Sequence, residues 1–237
     1  MKNKIIPSNQ VYRADHGWLK TSHIFSFADY YDPQNMGFGN MRVFNDDFIG
    51  AKTGFGFHPH SNMEILTVIL EGEITHGDNL GNKETISVGE IQTMSAGTGI
   101  LHSEENLSNK ETHLYQIWFL PNSSGNKPSY KDQKVFLVKN KLNLLASGNK
   151  EDKVGFLDSN VLVYRGIFKK GNKFNYFIDK KKGLFIYVYK GKIEVFLDNN
   201  GKKETLLPGD QLRYMKKGTY DFEASEDCDF MLIEVAL

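Results

Sequence analysis

The chain has 237 residues, which is enough for one large β domain or for two domains of about 110 residues each. Lysine and arginine together number 29, and so do aspartate and glutamate. Because the charges balance, the chain has no overall basic field, which argues against direct binding of nucleic acid or of an acidic membrane surface.

A single cysteine, Cys228, excludes an internal disulfide and fits a reducing compartment. The N-terminal segment 1–7 lacks the apolar stretch of a signal peptide, and the apolar runs are far shorter than a membrane span. We therefore expect a soluble, cytoplasmic protein, and we expect it to be a monomer.

Apolar runs of strand length alternate with turns rich in Gly, Asn, Asp and Lys along most of the chain. This texture is typical of an all-β sandwich or barrel. No segment shows a long helical period, and the favoured position for a short helix is Leu142–Ala146. The clearest predicted strands are Glu64–Leu70, Thr85–Val88, Ile91–Met94, His113–Leu120, Val161–Phe168, Leu184–Tyr189 and Met231–Val235.

An internal repeat divides the chain. The segment Leu70–Ile74 has a counterpart in Tyr189–Ile193, with Gly72 and Gly191 at the same position. Since the period is about 120 residues, the repeat indicates two copies of a whole domain rather than a solenoid. We predict an N-terminal domain over residues 1–133 and a C-terminal domain over residues 134–237, joined by polar segments rich in turn residues.

Two histidine-bearing runs, His58-Pro59-His60 and His102-Ser103-Glu104, give the clearest functional signal. On a β-strand, residues i and i+2 point to the same face, with Cα atoms about 6–7 Å apart. Two such strands lying side by side would bring three imidazoles and one carboxylate to a common point. That set suits one divalent transition metal that keeps a coordination position open for chemistry.

The second copy of the repeat lacks these ligands. Counting from the shared glycines, the positions of the two doublets are occupied by Phe177, Asp179, Phe222 and Ala224. The fold therefore does not require the four polar side chains of the first copy. We expect one metal per chain, bound in the N-terminal domain.

Glu64 is a second candidate carboxylate. If one strand continues through His60, Glu64 shares the inward face of the first doublet, and it could replace Glu104 as a ligand or orient a ligand histidine. Spacing alone leaves both roles open. Among the other histidines, His16, His23 and His113 are expected to be structural, and His76 to be exposed.

The two runs resemble the motifs of the cupin superfamily. One motif is Gly54…His58-x-His60-x3-Glu64…Gly72, and the other is Gly89-x5-Ser95-Ala96-Gly97…His102-x3-Asn106. Within that superfamily the chain is similar to the pirin family, and in particular to bacterial pirin-like proteins of the quercetin 2,3-dioxygenase type. The stretches that carry this similarity include His16–Leu19, Phe25–Ala28, Gly54–His60, Asn62–Glu64 and Met94–Glu104.

The resemblance is strong over residues 11–121 and mostly architectural beyond them. It implies an all-β bicupin, with two β-barrel domains of the jelly-roll (double-stranded β-helix) type packed face to face and few short helices. It also implies His58, His60, His102 and Glu104 as the metal ligands, which leaves Glu64 as a neighbour inside the barrel.

The activity implied by the resemblance is that of a metal-dependent dioxygenase, which opens the heterocyclic ring of a flavonol such as quercetin with O₂. Glu104 would double as the general base toward a substrate hydroxyl. Fe(II) is the expected metal, and Zn, Ni, Cu, Mn and Co suit the same ligand types.

A rival function belongs to another class. Eukaryotic pirins are regarded as transcription co-regulators, so the resemblance also fits a metal- or redox-sensing regulatory protein. Because the net charge is zero, such a protein would act through a protein partner rather than on DNA directly. A third hypothesis is a Zn-dependent isomerase or hydrolase on the same scaffold.

Overall fold

The structure is a computed structural model that describes residues 4–197 and 203–237. Over these residues the chain forms 22 β-strands and two 3-10 helices, Ser8–Gln10 and Lys150–Asp152, which confirms the all-β prediction. None of the helices in the described ranges is long and apolar enough to cross a membrane. Residues 1–3, part of the segment in which the sequence predicts no signal peptide, lie outside the described ranges.

The strands follow one another closely along the chain. The first eleven are β1 Lys4–Ile6, β2 Tyr12–Asp15, β3 Leu19–His23, β4 Met41–Ile49, β5 Thr53–His60, β6 Glu64–Glu71, β7 Glu73–Asp78, β8 Lys83–Ser87, β9 Glu90–Ser95, β10 Ile100–Asn106 and β11 Thr112–Phe119. The other eleven are β12 Ser129–Lys134, β13 Lys141–Ser147, β14 Gly155–Phe156, β15 Val161–Phe168, β16 Lys173–Ile178, β17 Lys182–Lys190, β18 Ile193–Phe196, β19 Lys203–Leu206, β20 Gln211–Tyr214, β21 Gly218–Ala224 and β22 Cys228–Ala236.

The N-terminal unit comprises residues 12–135 and 146–160. Its larger sheet has the strand order β12-β9-β6-β11-β4-β3-β2, and its smaller sheet has the order β5-β10-β7-β8. Both sheets are antiparallel. Ile69, Ile74, Ile86 and Leu114 are buried in one apolar cluster of this unit, and full burial of such a side chain contributes about 1.5–3 kcal/mol.

The C-terminal unit is formed by the described residues of 4–11, 136–145 and 161–237. Its larger sheet has the order β1-β20-β17-β22-β15-β13, and its smaller sheet has the order β16-β21-β18-β19. Each unit thus combines one large and one small sheet, as the bicupin prediction requires. The domain boundary between residues 133 and 134 stays a prediction, because the two units are discontinuous in sequence.

The repeat predicted from the sequence recurs in backbone conformation. Gly72 turns β6 into β7 with φ of 79°, and Gly191 turns β17 into β18 with φ of 75°. A Cβ atom at Gly191 would lie 1.9 Å from the carbonyl oxygen of Asp227. Both the left-handed conformation and the close approach therefore require glycine.

One local prediction is wrong, and the condition under which Glu64 would share a face with His60 is not met. Leu142–Ala146 is not a helix but part of strand β13, where Ala146 pairs in parallel with Gly155; sheet pairing outweighs the local helix preference of leucine and alanine. The strand bearing His60 also does not continue to Glu64, because β5 ends at His60 and β6, which begins at Glu64, belongs to the other sheet.

Candidate metal centre

The two histidine-bearing runs lie on adjacent strands of the smaller sheet in the N-terminal unit. β5 and β10 pair antiparallel, with His58 opposite His102 and His60 opposite Ile100. Alternate residues of a strand share a face, so both histidines of β5 point to the same side as His102. The ring centroids of the three lie 4.4–4.9 Å apart.

The three imidazoles form a group that could hold a metal ion. Their ligand nitrogens all lie within 4.8 Å of one another. Burial and the neighbouring imidazoles lower the pKa of His60 to about 4 and that of His102 to about 3. Both rings are therefore neutral near pH 7, the form in which imidazole binds a metal.

Hydrogen bonds select the nitrogen that each ring offers to a metal. Nδ1 of His58 lies 2.8 Å from the carbonyl oxygen of Gly56, and because a carbonyl only accepts, this nitrogen carries the hydrogen. Nε2 of His58 is then the unprotonated nitrogen. The same orientation of a ligand histidine by a backbone carbonyl is common at metal sites.

His102 contacts a buried histidine, His76, which is hydrogen-bonded to Asp78. Nε2 of His76 donates to Asp78 at 2.9 Å, and Nδ1 of His76 lies 3.5 Å from Nδ1 of His102. His76 is 0% exposed, so the prediction that it is exposed is wrong. β7 places Ile74, His76 and Asp78 on one face, and all three are buried.

This chain of contacts fixes the tautomer of His102. Burial alone would raise the pKa of Asp78, but hydrogen bonds from His76, Asn82 and Leu80 together lower it, so Asp78 is an acceptor. His76 then donates from Nε2 and accepts at Nδ1 from His102. The remaining nitrogen, Nε2 of His102, is buried and has no hydrogen-bond partner among the described residues.

Glu104 is held by three polar side chains. Thr67 and Gln92 donate to its Oε1 at 3.3 and 3.0 Å, and Gln116 donates to its Oε2. Glu104 belongs to a second group of potential ligands, with His76 and His102. The two groups share His102, and a single centre with His58, His60, His102 and Glu104 as ligands stays a prediction.

A β-bulge in β5 determines which residues of β5 lie opposite His102 and Glu104. From His102 to Glu104 the partner strand advances by three residues, from His58 to Phe55, so β5 carries a bulge at Gly56 and Phe57. Close approach of the strands needs Gly54, where a Cβ atom would lie 2.4 Å from the carbonyl oxygen of Glu104.

The imidazoles open into a cavity of about 140 Å³. Its walls combine an aromatic side, which includes Phe27, Phe55 and Trp118, with a polar side that includes Asn45 and Asp47. A second recess of about 350 Å³ shares His60 and is lined by Pro59, Asn79 and Leu101 among others. The sequence did not single out Asp47, Asp78, Gln92 or Gln116, although each lies in the same strand as, or a strand neighbouring, a residue that it did single out.

Glu64 has other partners. Its carboxylate accepts from the Ser95 hydroxyl at 2.7 Å and from the backbone N–H of Asp158 at 3.0 Å. It lines a different cavity, while its neighbour Ile65 lines the one that holds the histidines. These contacts give Glu64 no part in orienting a ligand, and we do not assign it one.

In the C-terminal unit, the positions equivalent to the doublets are shifted from those found by counting. Glu104 pairs with His76, four residues after Gly72, and Phe222 pairs with Val195, four residues after Gly191. Phe222 therefore corresponds to Glu104 rather than to His102, because the turn lengths differ between the copies. The register then places Tyr176, Ile178 and Tyr220 at the positions of His58, His60 and His102, in place of Phe177, Asp179 and Phe222.

The remaining histidines agree with the structural roles predicted for them where contacts define them. His113 is buried and pairs with Asp46, and His23 is buried and contacts Asn45 at 3.0 Å. Within the described ranges, the His/acidic groups that could hold a metal lie in the N-terminal unit.

Two units with the cupin sheet arrangement, one of them carrying a histidine cluster in its barrel, define a bicupin protein. Family models agree: "Pirin" matches residues 6–119 and "Quercetinase C-terminal cupin domain" matches residues 144–235. The chain belongs to the pirin family.

Relatives that match nearly the whole chain indicate the kind of enzyme within this family. The chain is 40% identical to "Quercetin 2,3-dioxygenase" of Escherichia coli O157:H7, over 96% of each chain, and 39% identical to a "Pirin-like protein" of Caulobacter vibrioides, over 97% of this chain and 98% of that one. The crystal structure of the E. coli bacterial pirin YhhW in complex with nickel(II) superposes with a TM-score of 0.91, at 38% identity over 99% of both chains. The chain is thus a quercetin 2,3-dioxygenase-like enzyme, of the dioxygenase class.

Proposed function

We propose that this dioxygenase is metal-dependent and opens the heterocyclic ring of a flavonol such as quercetin with O₂. The observation that carries the proposal is the buried Nε2 of His102, which has no hydrogen-bond partner in residues 4–197 and 203–237 and lies beside two further imidazoles in one cavity. A buried nitrogen without a partner costs about 1–3 kcal/mol, and a metal ion is the partner that three clustered imidazoles fit.

His58, His60, His102 and Glu104 are proposed as the residues that hold the metal. Fe(II) is our first choice, because imidazole and carboxylate together suit it; the nickel(II) in the related YhhW structure supports a divalent transition metal more generally. When bound, the metal would supply Lewis-acid stabilisation of a substrate oxyanion and the redox chemistry that O₂ requires. The general-base role of Glu104 stays a prediction.

The cavity walls would orient the substrate and exclude water. Phe27, Phe55 and Trp118 offer aromatic surfaces against which a flat ring system can pack. The volume of about 140 Å³ is smaller than the roughly 300–1,000 Å³ of most ligand pockets. We therefore place only the reacting edge of the flavonol in this cavity, and the remaining ring in the recess that shares His60.

The test is aerobic incubation of the metal-reconstituted protein with quercetin, followed by absorbance loss and carbon monoxide release. We expect both in the wild type and neither in His102→Ala. Tyr220→Phe, at the equivalent register position of the C-terminal unit, is the matched control and should retain activity. Wild-type protein with full metal occupancy but no quercetin consumption would overturn the proposal.

The regulatory hypothesis has one specific observation in its favour. Phe57 is 67% exposed beside His58, and Leu101 is 45% exposed beside His102, so large apolar side chains face solvent next to the candidate ligands. A change in metal or redox state could alter this surface for a protein partner. Activity lost in His58→Ala while partner binding is unchanged would favour the enzyme; metal-dependent partner binding without turnover would favour the regulator. The cytoplasmic location and the monomeric state stay predictions.

A further inference from the structure

Asp47 is a carboxylate inside the histidine cavity that the ligand set does not use. It lies on β4, is 2% exposed, and lines the cavity together with His58, His60 and His102. Thr21, its register partner on β3, hydrogen-bonds to its side chain. The other carboxyl oxygen, Oδ1, is buried and has no hydrogen-bond partner within the described part of the chain.

Two neighbouring acidic residues, unlike Oδ1 of Asp47, have partners for their carboxylate oxygens. Asp46, the preceding residue, points to the opposite face and pairs with His113. Glu104, on the facing wall, accepts hydrogen bonds from three side chains. Three donors satisfy the oxygens of that carboxylate, whereas a buried oxygen with no donor is costly.

We infer that Asp47 holds and exchanges a proton in this cavity and, given the proposed function, that it is the base that accepts the proton of the substrate hydroxyl. The O–H bond of the substrate breaks as an O–H bond forms on Asp47, and the same proton returns to the ring-opened product before release. No further reactant is needed for this exchange. In this scheme Glu104 serves only as a metal ligand, and Asp47 replaces it as the predicted general base.

The charges around Asp47 favour a proton holder. Burial, followed by repulsion from Asp46 on its own strand and from Glu104 on β10, outweighs the Thr21 hydrogen bond and raises the pKa of Asp47 to about 7. From β3, His23 lies two residues from Thr21 and contacts its hydroxyl at 3.3 Å. A group that gains and loses a proton near neutral pH is suited to general acid–base catalysis.

The first measurement compares wild type, Asp47→Asn and Asp46→Asn, all reconstituted with metal. For Asp47→Asn we expect unchanged metal content and a kcat for quercetin lower by about 100-fold or more. Anaerobically bound quercetin should show the absorption of its deprotonated form in the wild type and of its neutral form in Asp47→Asn. Asp46→Asn should keep most of the activity. Full activity in Asp47→Asn, or loss of its metal, would overturn the inference.

A second measurement does not depend on quercetin. Infrared difference spectra recorded with and without metal should show a protonated-carboxyl band that is missing in Asp47→Asn, and in the metal-free protein this band should disappear as pH rises through neutrality. If the band is present and quercetin is not consumed, the proposed substrate is wrong and the proton-holding role stands. If the band is absent while quercetin is consumed, the role of Asp47 is refuted and the proposed function stands.

Discussion

Replacing Asp47 by asparagine should stabilise the metal-free protein, and increasingly so as pH rises. The pKa of Asp47 is raised from 3.8 to about 7 in the folded protein, so the folded state binds its proton more tightly than the unfolded state does. Stability contributed by this group is complete below pH 3.8 and is lost as pH rises toward 7.

The size of the effect follows from the two pKa values. Each tenfold change in proton affinity is worth about 1.4 kcal/mol, so the loss between the two values is about 4 kcal/mol. Asparagine carries no charge, so the Asp47→Asn protein does not lose this stability as pH rises. We therefore expect the free energy of unfolding of Asp47→Asn to exceed that of the wild type by about 4 kcal/mol more at pH ~8 than at pH ~4.

Urea denaturation of both metal-free proteins at several pH values measures this difference. Titrating groups that do not interact with Asp47 contribute equally to both proteins and cancel in the comparison, whereas Asp46 and Glu104, which repel its charge, are part of the measured difference. Any constant packing effect of asparagine shifts all values together. A stability gap that is the same at acid and alkaline pH would refute the assignment of a raised pKa to Asp47.

Three further predictions concern metal binding and the strands that support it. His76→Phe removes the acceptor that fixes the His102 tautomer, so metal affinity measured by calorimetry should fall by about 10–100-fold. Tyr130→Phe is the control, because it keeps the aromatic ring that stacks 4.0 Å from the His76 ring, and it should not change the affinity. Equal affinities in the wild type and His76→Phe would contradict this role of His76. Because the pKa values of His60 and His102 are lowered to about 4 and 3, these two rings should stay metal-competent as pH falls from neutral. NMR of the metal-free protein measures their titration, and a midpoint near 6.5, the ordinary histidine value, for either ring would contradict this prediction. Gly54→Ala would place the new Cβ 2.4 Å from the carbonyl oxygen of Glu104, and it should lower both the melting temperature and the metal content. Gly56→Ala is the control: a Cβ added there meets no atom within 4 Å, so both quantities should stay unchanged.

Much of the fold follows from the sequence because the strand signals are strong and repeated. Short apolar runs, glycine-bearing turns and the second copy of the repeat all indicate the same all-β bicupin. The helix at Leu142–Ala146 could not be excluded locally, because its leucines suit either structure and the pairing of Ala146 with Gly155 depends on distant chain.

The part of the candidate site that the sequence predicts is the part that depends on alternating side chains within one strand. His58, His60 and His102 come together because both runs lie on adjacent strands. His76 was predicted to be exposed because it was placed after the end of a strand, just before a turn. Its position two residues from the buried Ile74 and two from Asp78 was the available signal. The role of Asp47 depends on burial and on an unpaired oxygen, which no spacing in the sequence reveals.

Because Nε2 of His102 has no hydrogen-bond partner among the residues that the structure describes, the two halves of the chain should respond differently to metal. A ligand that binds only the folded state raises stability in proportion to the logarithm of its concentration, and the nitrogen that lacks a partner lies in the N-terminal unit. The C-terminal unit has Tyr176, Ile178 and Tyr220 at the equivalent positions and gains nothing from a metal. We therefore expect added metal to raise the heat resistance of the N-terminal unit, where the proposed site lies.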